Sequence, residues 1–134
     1  MMITTDSCYH TALLSYISDQ VEVVNSNLAG ATDTGGFRFY PRQSVYYTES
    51  IHGSHISSYY LFDGKESRQL CQRYDSDISP ENSDTTYSVE GEEVSGDKYE
   101  KYLSLLTKNL KEEPVNMHEI NEENIREYLK YSLN

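Results

Sequence analysis

Asp63-Gly64 is the dipeptide that most restricts what this chain can fold into. Asp followed by Gly tolerates the positive φ angles of a type I′ turn, whose twist matches that of paired strands. Two β-favouring stretches flank it, residues 55–62 and 65–74. A two-residue turn would then set the register of a hairpin. Phe62 would lie opposite Lys65, Tyr60 opposite Ser67, Tyr59 opposite Arg68 and Ile56 opposite Cys71.

A second alternation runs over residues 8–16. Cys8, His10, Ala12, Leu14 and Tyr16 fall on one side, and Tyr9, Thr11, Leu13 and Ser15 on the other. Ser18-Asp19 suits a turn, and residues 20–25 resume as a Val-rich strand. Tyr16 then faces Val21 and Leu14 faces Val23, which gives both strands one apolar face. Residues 25–36 are small, polar and Gly-rich and read as a loop that contains Gly35-Gly36. Two short β stretches follow, 37–40 and 44–49, broken by Pro41, which has no N–H for a ladder.

Residues 75–84 form a polar loop, 85–89 a short strand, and Gly91 turns the chain. Ser95 is placed as a helix N-cap with Asp97 in the first turn. Tyr99, Tyr102, Leu103, Leu106 and Leu110 recur at helical spacing, and Asn109 and Pro114 end that helix. A second helix opens at Asn121, with Ile120 and Ile125 as a hydrophobic staple and Ile125, Tyr128 and Leu129 on its buried face. No internal repeat is visible. The expected fold is a single α+β domain: an antiparallel β-meander of about six to eight strands over residues 1–94, and two C-terminal helices within 95–134 covering a face or an edge.

Thirteen Tyr, three Phe and no Trp fit sheets with one wet face, since a Tyr ring packs while its hydroxyl keeps a polar partner. The net charge of −11 is concentrated in residues 75–100, where nine acids meet Lys98 alone. That field repels nucleic acid and anionic lipid, which are bound chiefly by clustered Lys and Arg. No stretch approaches the roughly 20 apolar residues of a membrane helix. Met1-Met2-Ile3-Thr4-Thr5-Asp6 lacks the basic start and apolar core of a signal peptide and reads as a strand entered abruptly, as in a fragment of a longer chain.

The segment from Tyr87 to Tyr102, a strand, a Gly91-x-x-Val94-Ser95 turn and a helix with an early Tyr, resembles the tail of many secreted or lipid-anchored proteins of Gram-positive gut bacteria. There the tail follows a meander whose hairpins read Tyr-x-x-Asp-Gly-Lys, a pattern that Tyr59 to Lys65 roughly follows. The Asp-rich, calcium-loop-like segment of longer members has no counterpart here, so no metal role carries over. The resemblance covers roughly residues 8–110 in pattern. It implies a β-meander with a helical tail and an extracellular parent protein, and it implies no activity.

His10, His52 and His55 are the candidate zinc ligands, with Cys8 or Cys71 to complete a set. Residues three apart in a strand point to opposite faces, so His52 and His55 converge only if the chain folds at Gly53. Asp75, Asp77, Glu81 and Asp84 are the candidate calcium ligands, without the Gly-punctuated spacing of a calcium loop. Cys8 and His10 share a strand face, but two residues of strand rise separate them by about 7 Å, too far for a direct hydrogen bond. Cys8 and Cys71 either form one bridge or stay apart, and two buried, unpaired thiols are expected. No Gly-x-Ser-x-Gly elbow, His-Glu-x-x-His or phosphate-cradling loop occurs. No metal or cofactor site is therefore expected. The functional expectation is a non-catalytic interaction or accessory module with a protein or cell-surface partner. The alternative is an accessory region of a hydrolase whose chemistry lies elsewhere. An exposed Tyr cluster favours the first, and a deep pocket joining a His, a Cys and an acid favours the second.

Overall fold

Alternating side chains and short turns build the chain into ladders. The computed structural model describes residues 2–5, 11–17, 19–25, 35–51, 53–64, 66–79, 81, 84–113, 118–119, 122–123 and 126–127. In chain order these form β1 (Met2–Thr5), β2 (Thr11–Ile17), β3 (Gln20–Asn25), β4 (Gly35–Tyr40), a 3-10 turn (Pro41–Gln43), β5 (Val45–Ile51), β6 (His55–Phe62), β7 (Ser67–Asp75), β8 (Thr85–Val89), β9 (Glu92–Val94), helix α1 (Gly96–Thr107) and β10 (His118–Glu119). Strands β4 to β9 make a six-stranded antiparallel meander in sequence order. The other four make a separate sheet, ordered β10-β1-β2-β3. The fold is α+β and mostly strand. It departs from a single meander because the late strand β10 returns to pair parallel with β1, a contact that no local pattern announces.

The first hairpin has the expected register, with Leu14 opposite Val23 and Tyr16 opposite Val21. Ile17 pairs with Gln20, so residues 18–19 are the turn, and Asp19 has φ 64°. Gly35-Gly36, read as loop, instead opens β4 opposite Ser50 and Glu49. Pro41 does break the ladder: it starts the 3-10 turn, and Ser44 closes it in the left-handed region.

The hairpin at Asp63-Gly64 exists, but its register differs from expectation. Phe62 pairs with Ser67 and Tyr60 with Gln69, so four residues, 63–66, make the connection. The Asp63 carboxylate accepts the Glu66 N–H at 2.8 Å while the Asp63 N–H donates to the Glu66 carbonyl at 3.2 Å. An Asp side chain that bonds the backbone ahead of it in this way stabilises a wider loop. A bulge between Tyr59 and Tyr60 then shifts the ladder by one more residue, putting Tyr59 opposite Cys71 and Ile56 opposite Tyr74. The two-residue turn with positive φ at both positions occurs two hairpins later: Glu90 has φ 52°, Gly91 has φ 83°, and Val89 pairs with Glu92.

Successive residues of β5 serve opposite faces of the meander. Tyr46 is 0 % exposed and stacks on Tyr60, ring centroids 4.9 Å apart, and on Phe37 at 5.9 Å. Phe39, Phe62 and Val24 of β3 pack around it, and its hydroxyl hydrogen-bonds Ser67 Oγ. On the other face Tyr47 joins Tyr40, Val45 and Leu70, and the helix residues Tyr102 and Leu106 close over that cluster together with Leu110. Ser95 caps α1 through the Lys98 N–H at 3.3 Å, and Tyr99 is buried against Tyr87, ring centroids 4.9 Å apart. The apolar stripe of the helix thus lies on the meander, as its spacing predicts.

Beyond α1 the Glu113 N–H donates to the Phe39 carbonyl at 3.0 Å, which covers part of the β4 edge and leaves fewer unpaired groups there. The second expected helix lies largely outside the described residues, as do Ile120, Asn121, Ile125, Tyr128 and Leu129. Glu122, Glu123, Arg126 and Glu127 are helical, with an ion pair between Arg126 and Glu122, which is too little to define that element. Among the described residues no helix is long and apolar enough to cross a membrane.

Gly64 has φ +99° and open space where a Cβ would sit, so only backbone strain opposes a side chain there. Gly64→Val is expected to lower stability by about 1 kcal/mol or more in urea titration, since a β-branched residue resists positive φ. Removing the Tyr46 ring from its fully buried stack should cost about 3–5 kcal/mol in the same measurement of Tyr46→Ala.

Candidate functional site

The Tyr47 face is apolar under α1 and polar beyond it. The register brings Ser57 of β6 opposite Glu49 of β5 and Arg73 of β7, and brings His55 opposite Asp75, which itself faces Thr85 of β8. Four strands therefore contribute to one cluster, because paired residues share a face.

His55 is its centre. Its Nε2 lies 2.9 Å from Glu49 Oε1, and its Nδ1 lies 3.6 Å from Asp75 Oδ2. The Tyr47 hydroxyl donates to Glu49 Oε2 at 2.7 Å. Asp75, 8 % exposed, accepts from the Thr85 hydroxyl at 2.5 Å and pairs with Arg73 Nε at 3.2 Å. The Arg73 guanidinium in turn lies over the Tyr87 ring at 5.9 Å. Each carboxylate is thus held by two or more donors, which is what permits its burial. Burial chiefly, and the charge of Glu49 besides, push the Tyr47 phenol up to about 12, so it stays a donor to Glu49.

Ser57 Oγ also approaches His55 Nε2, at 3.3 Å. The 7 Å strand spacing is therefore no barrier to a Ser–His contact, because the imidazole itself spans the gap. Ser57, His55 and Asp75 stand in the order of a hydrolytic triad, yet the arrangement does not activate the serine. A carboxylate only accepts, so the close Glu49 contact requires the hydrogen on Nε2, and that nitrogen then has no lone pair for the Ser57 proton. Asp75 is beyond hydrogen-bond length from Nδ1. Strand β6 is paired on both sides, so its amides belong to ladders and form no oxyanion hole. What the cluster does is tie β5, β6, β7 and β8 together at one end of the sheet.

Above it lies an open depression of ≈ 460 Å³. It is lined by His55, Asp75 and Thr85 of the cluster, by Arg73 and Asp77, and by Ile51 and Ile78. Of the candidate residues, His55, Asp75 and Asp77 come together here. His10 and His52 lie outside the described residues. Glu81 is exposed, and Asp84 serves the loop through its backbone, which exchanges hydrogen bonds with Ser76. The acidic run does not wrap a common centre: Asp75 turns to His55, Arg73 and Thr85, and Asp77 Oδ1 accepts the Ser79 N–H at 2.8 Å. Among the described residues no three His, Cys, Asp or Glu side chains are placed to hold a metal ion.

Cys71 is a free, buried thiol between Tyr59 and Val89, pushed up to about 11 by burial and not part of the depression. Cys8 lies outside the described residues. Sequence reasoning missed Glu49, Ser57, Arg73 and Thr85 as members of this cluster: the β5–β6 register supplies Glu49 beside Ser57 and His55, and the β7 register supplies Arg73 and, through Asp75, Thr85. No family model, no curated protein and no solved structure matches the chain.

Titration with zinc or calcium, followed by calorimetry, is expected to show no binding at micromolar or tighter affinity. Alkaline pH should destabilise the fold. An unfolded thiol ionises near pH 8.5 and an unfolded Tyr near pH 10, by about those values, whereas Cys71 holds its proton to about 11 and Tyr47 and Tyr59 to about 12. In that window the unfolded state binds fewer protons, so stability is full below about pH 8.5 and falls as pH rises through these folded values. Denaturation midpoints measured from pH 7 to pH 11 check the sign, and Cys71→Ser removes the earliest part of the decline.

Proposed function

We propose that this domain is a non-catalytic interaction or accessory module of a secreted or surface-anchored bacterial protein, and that it acts by binding a protein or cell-surface partner. The observation that carries this reading is the state of the His55 cluster. Its histidine is engaged by Glu49 on the nitrogen that a base would need. Its acids are bound to their neighbours, and its strand amides are committed to ladders. Such a cluster stiffens a surface and does not transfer protons. Cys71 does not line the depression, so the pocket joining a His, a Cys and an acid that would favour a hydrolase is not formed by these residues.

The tyrosines support the reading less directly than expected. Tyr40, Tyr46 and Tyr47 are buried in the two cores and Tyr99 against Tyr87, and among the tyrosines whose side chains are described only Tyr74, at 37 %, is exposed. They serve the scaffold, and the contact surface lies elsewhere. The secreted or anchored parent rests on the resemblance of residues 59–65 and 87–102 to such proteins. Assays with small ester, amide and glycoside substrates are expected to show no turnover that depends on His55. Hydrolysis abolished by both His55→Ala and Ser57→Ala in folded protein would overturn the proposal.

A further inference from the structure

Two isoleucines stand out beside the His55 cluster. Ile51, at the end of β5, is 40 % exposed, and Ile78, in the connection between β7 and β8, is 60 % exposed. They line the same depression. The loop carrying Ile78 is tied in place. The Ile78 N–H donates to the Gly53 carbonyl at 3.1 Å, and the Ser76 N–H to the Asp84 carbonyl at 3.0 Å. The Asp84 N–H donates to Ser76 Oγ at 2.9 Å, and Asp77 holds the Ser79 N–H. A large apolar side chain is thus kept in water by a braced loop, and a second one on a strand lines the same depression.

The charge around this gap is negative. Glu49 and Asp75 stand beside His55, Asp77 lines the same depression, and the Arg73 charge is engaged by Asp75 and lies over the Tyr87 ring. Asp77 Oδ2 has no partner among the described residues, so it can accept from a ligand. Asp84 joins Asp75 and Asp77 at this end of the sheet, within a chain of net charge −11. Such a field draws cations to the site and turns anions away. A Lys or Arg matches both features, because its aliphatic stem packs on apolar walls while its charged head reaches polar groups.

We propose that this depression is a docking site for a basic, apolar-flanked peptide segment of a partner protein. A Lys or Arg stem passes between Ile51 and Ile78, and its head lies at Asp77 in the field of Asp75. The proposal rests on the interaction-module reading and names the chemistry of the partner.

Fluorescence anisotropy at physiological ionic strength tests it with labelled peptides about ten residues long that alternate Lys with Leu, Lys with Ser, or Glu with Leu. The Lys–Leu peptide should bind saturably and more tightly than the Lys–Ser peptide, and the Glu–Leu peptide should not bind. Ile78→Ser is a surface change, and Asp77→Asn keeps an Oδ1 acceptor for the Ser79 N–H while removing the charge; each should weaken the Lys–Leu peptide at least about fivefold while the circular dichroism of the domain stays unchanged. Equal affinity for the Lys–Leu and Lys–Ser peptides would mean plain charge attraction and overturns the inference. So does binding that neither variant alters, or no binding of the Lys–Leu peptide at all. These failures leave the module reading standing unless His55-dependent hydrolysis is also found, and that result removes both.

Discussion

The adjacent tyrosines of β5 hold this structure together. Because a strand alternates its side chains, Tyr46 and Tyr47 put one ring into each face of the meander. Each ring meets a partner directly across the ladder: Tyr46 lies against Tyr60, and Tyr47 against Tyr59, ring centroids 4.8 Å apart. Directly opposed aromatic pairs add to sheet stability beyond the area they bury. Arg38 extends the second row, its guanidinium 5.4 Å from the Tyr47 ring centroid. A chain without Trp thereby centres each of its two cores on a tyrosine of one strand, with all three Phe around Tyr46 and Val45 and Leu70 beside Tyr47.

That solution has a polar consequence. A Tyr ring brings a hydroxyl into the interior, and a buried hydroxyl needs a partner. On one face Tyr46 finds Ser67. On the other Tyr47 finds Glu49, and Glu49 then needs further donors, which brings in His55. His55 borders Asp75, and Asp75 recruits Arg73 and Thr85. The cluster can be followed outward from one phenol, each group compensating the burial of the one before it. Hydrogen-bonded on either side of the His55–Asp75 contact, the cluster joins β5, β6, β7 and β8 at one end of the sheet.

Much of the architecture is legible along the chain, because the interactions that decide it are local. Period-two alternation marks the strands, the Ser18-Asp19 pairing places Leu14 against Val23, Pro41 must break a ladder, and Ser95 with the Tyr99 stripe defines α1. The acidic segment 75–100 and its bearing on partners are likewise matters of composition. Strand neighbours follow from hairpin connections, so the order of the meander can be read as well.

The site could not be read, because it depends on register. A two-residue turn at Asp63-Gly64 would have put Gln72 opposite His55 and sent Asp75 to the other face. The Asp63 carboxylate widens the turn by two residues, which preserves the faces. The bulge at Tyr59/Tyr60 adds one more, and a one-residue slip exchanges the faces of all that follows. That bulge alone brings Arg73 and Asp75 to the side of Glu49 and His55. The sequence by itself determined most of strands β1 to β8, the capped helix and the charge, while β9, β10 and the opening of β4 were not legible in it. The tertiary structure decided which side chains meet, since facing across a ladder depends on the sum of every turn and bulge between two residues, and each is chosen by packing on both faces of the sheet.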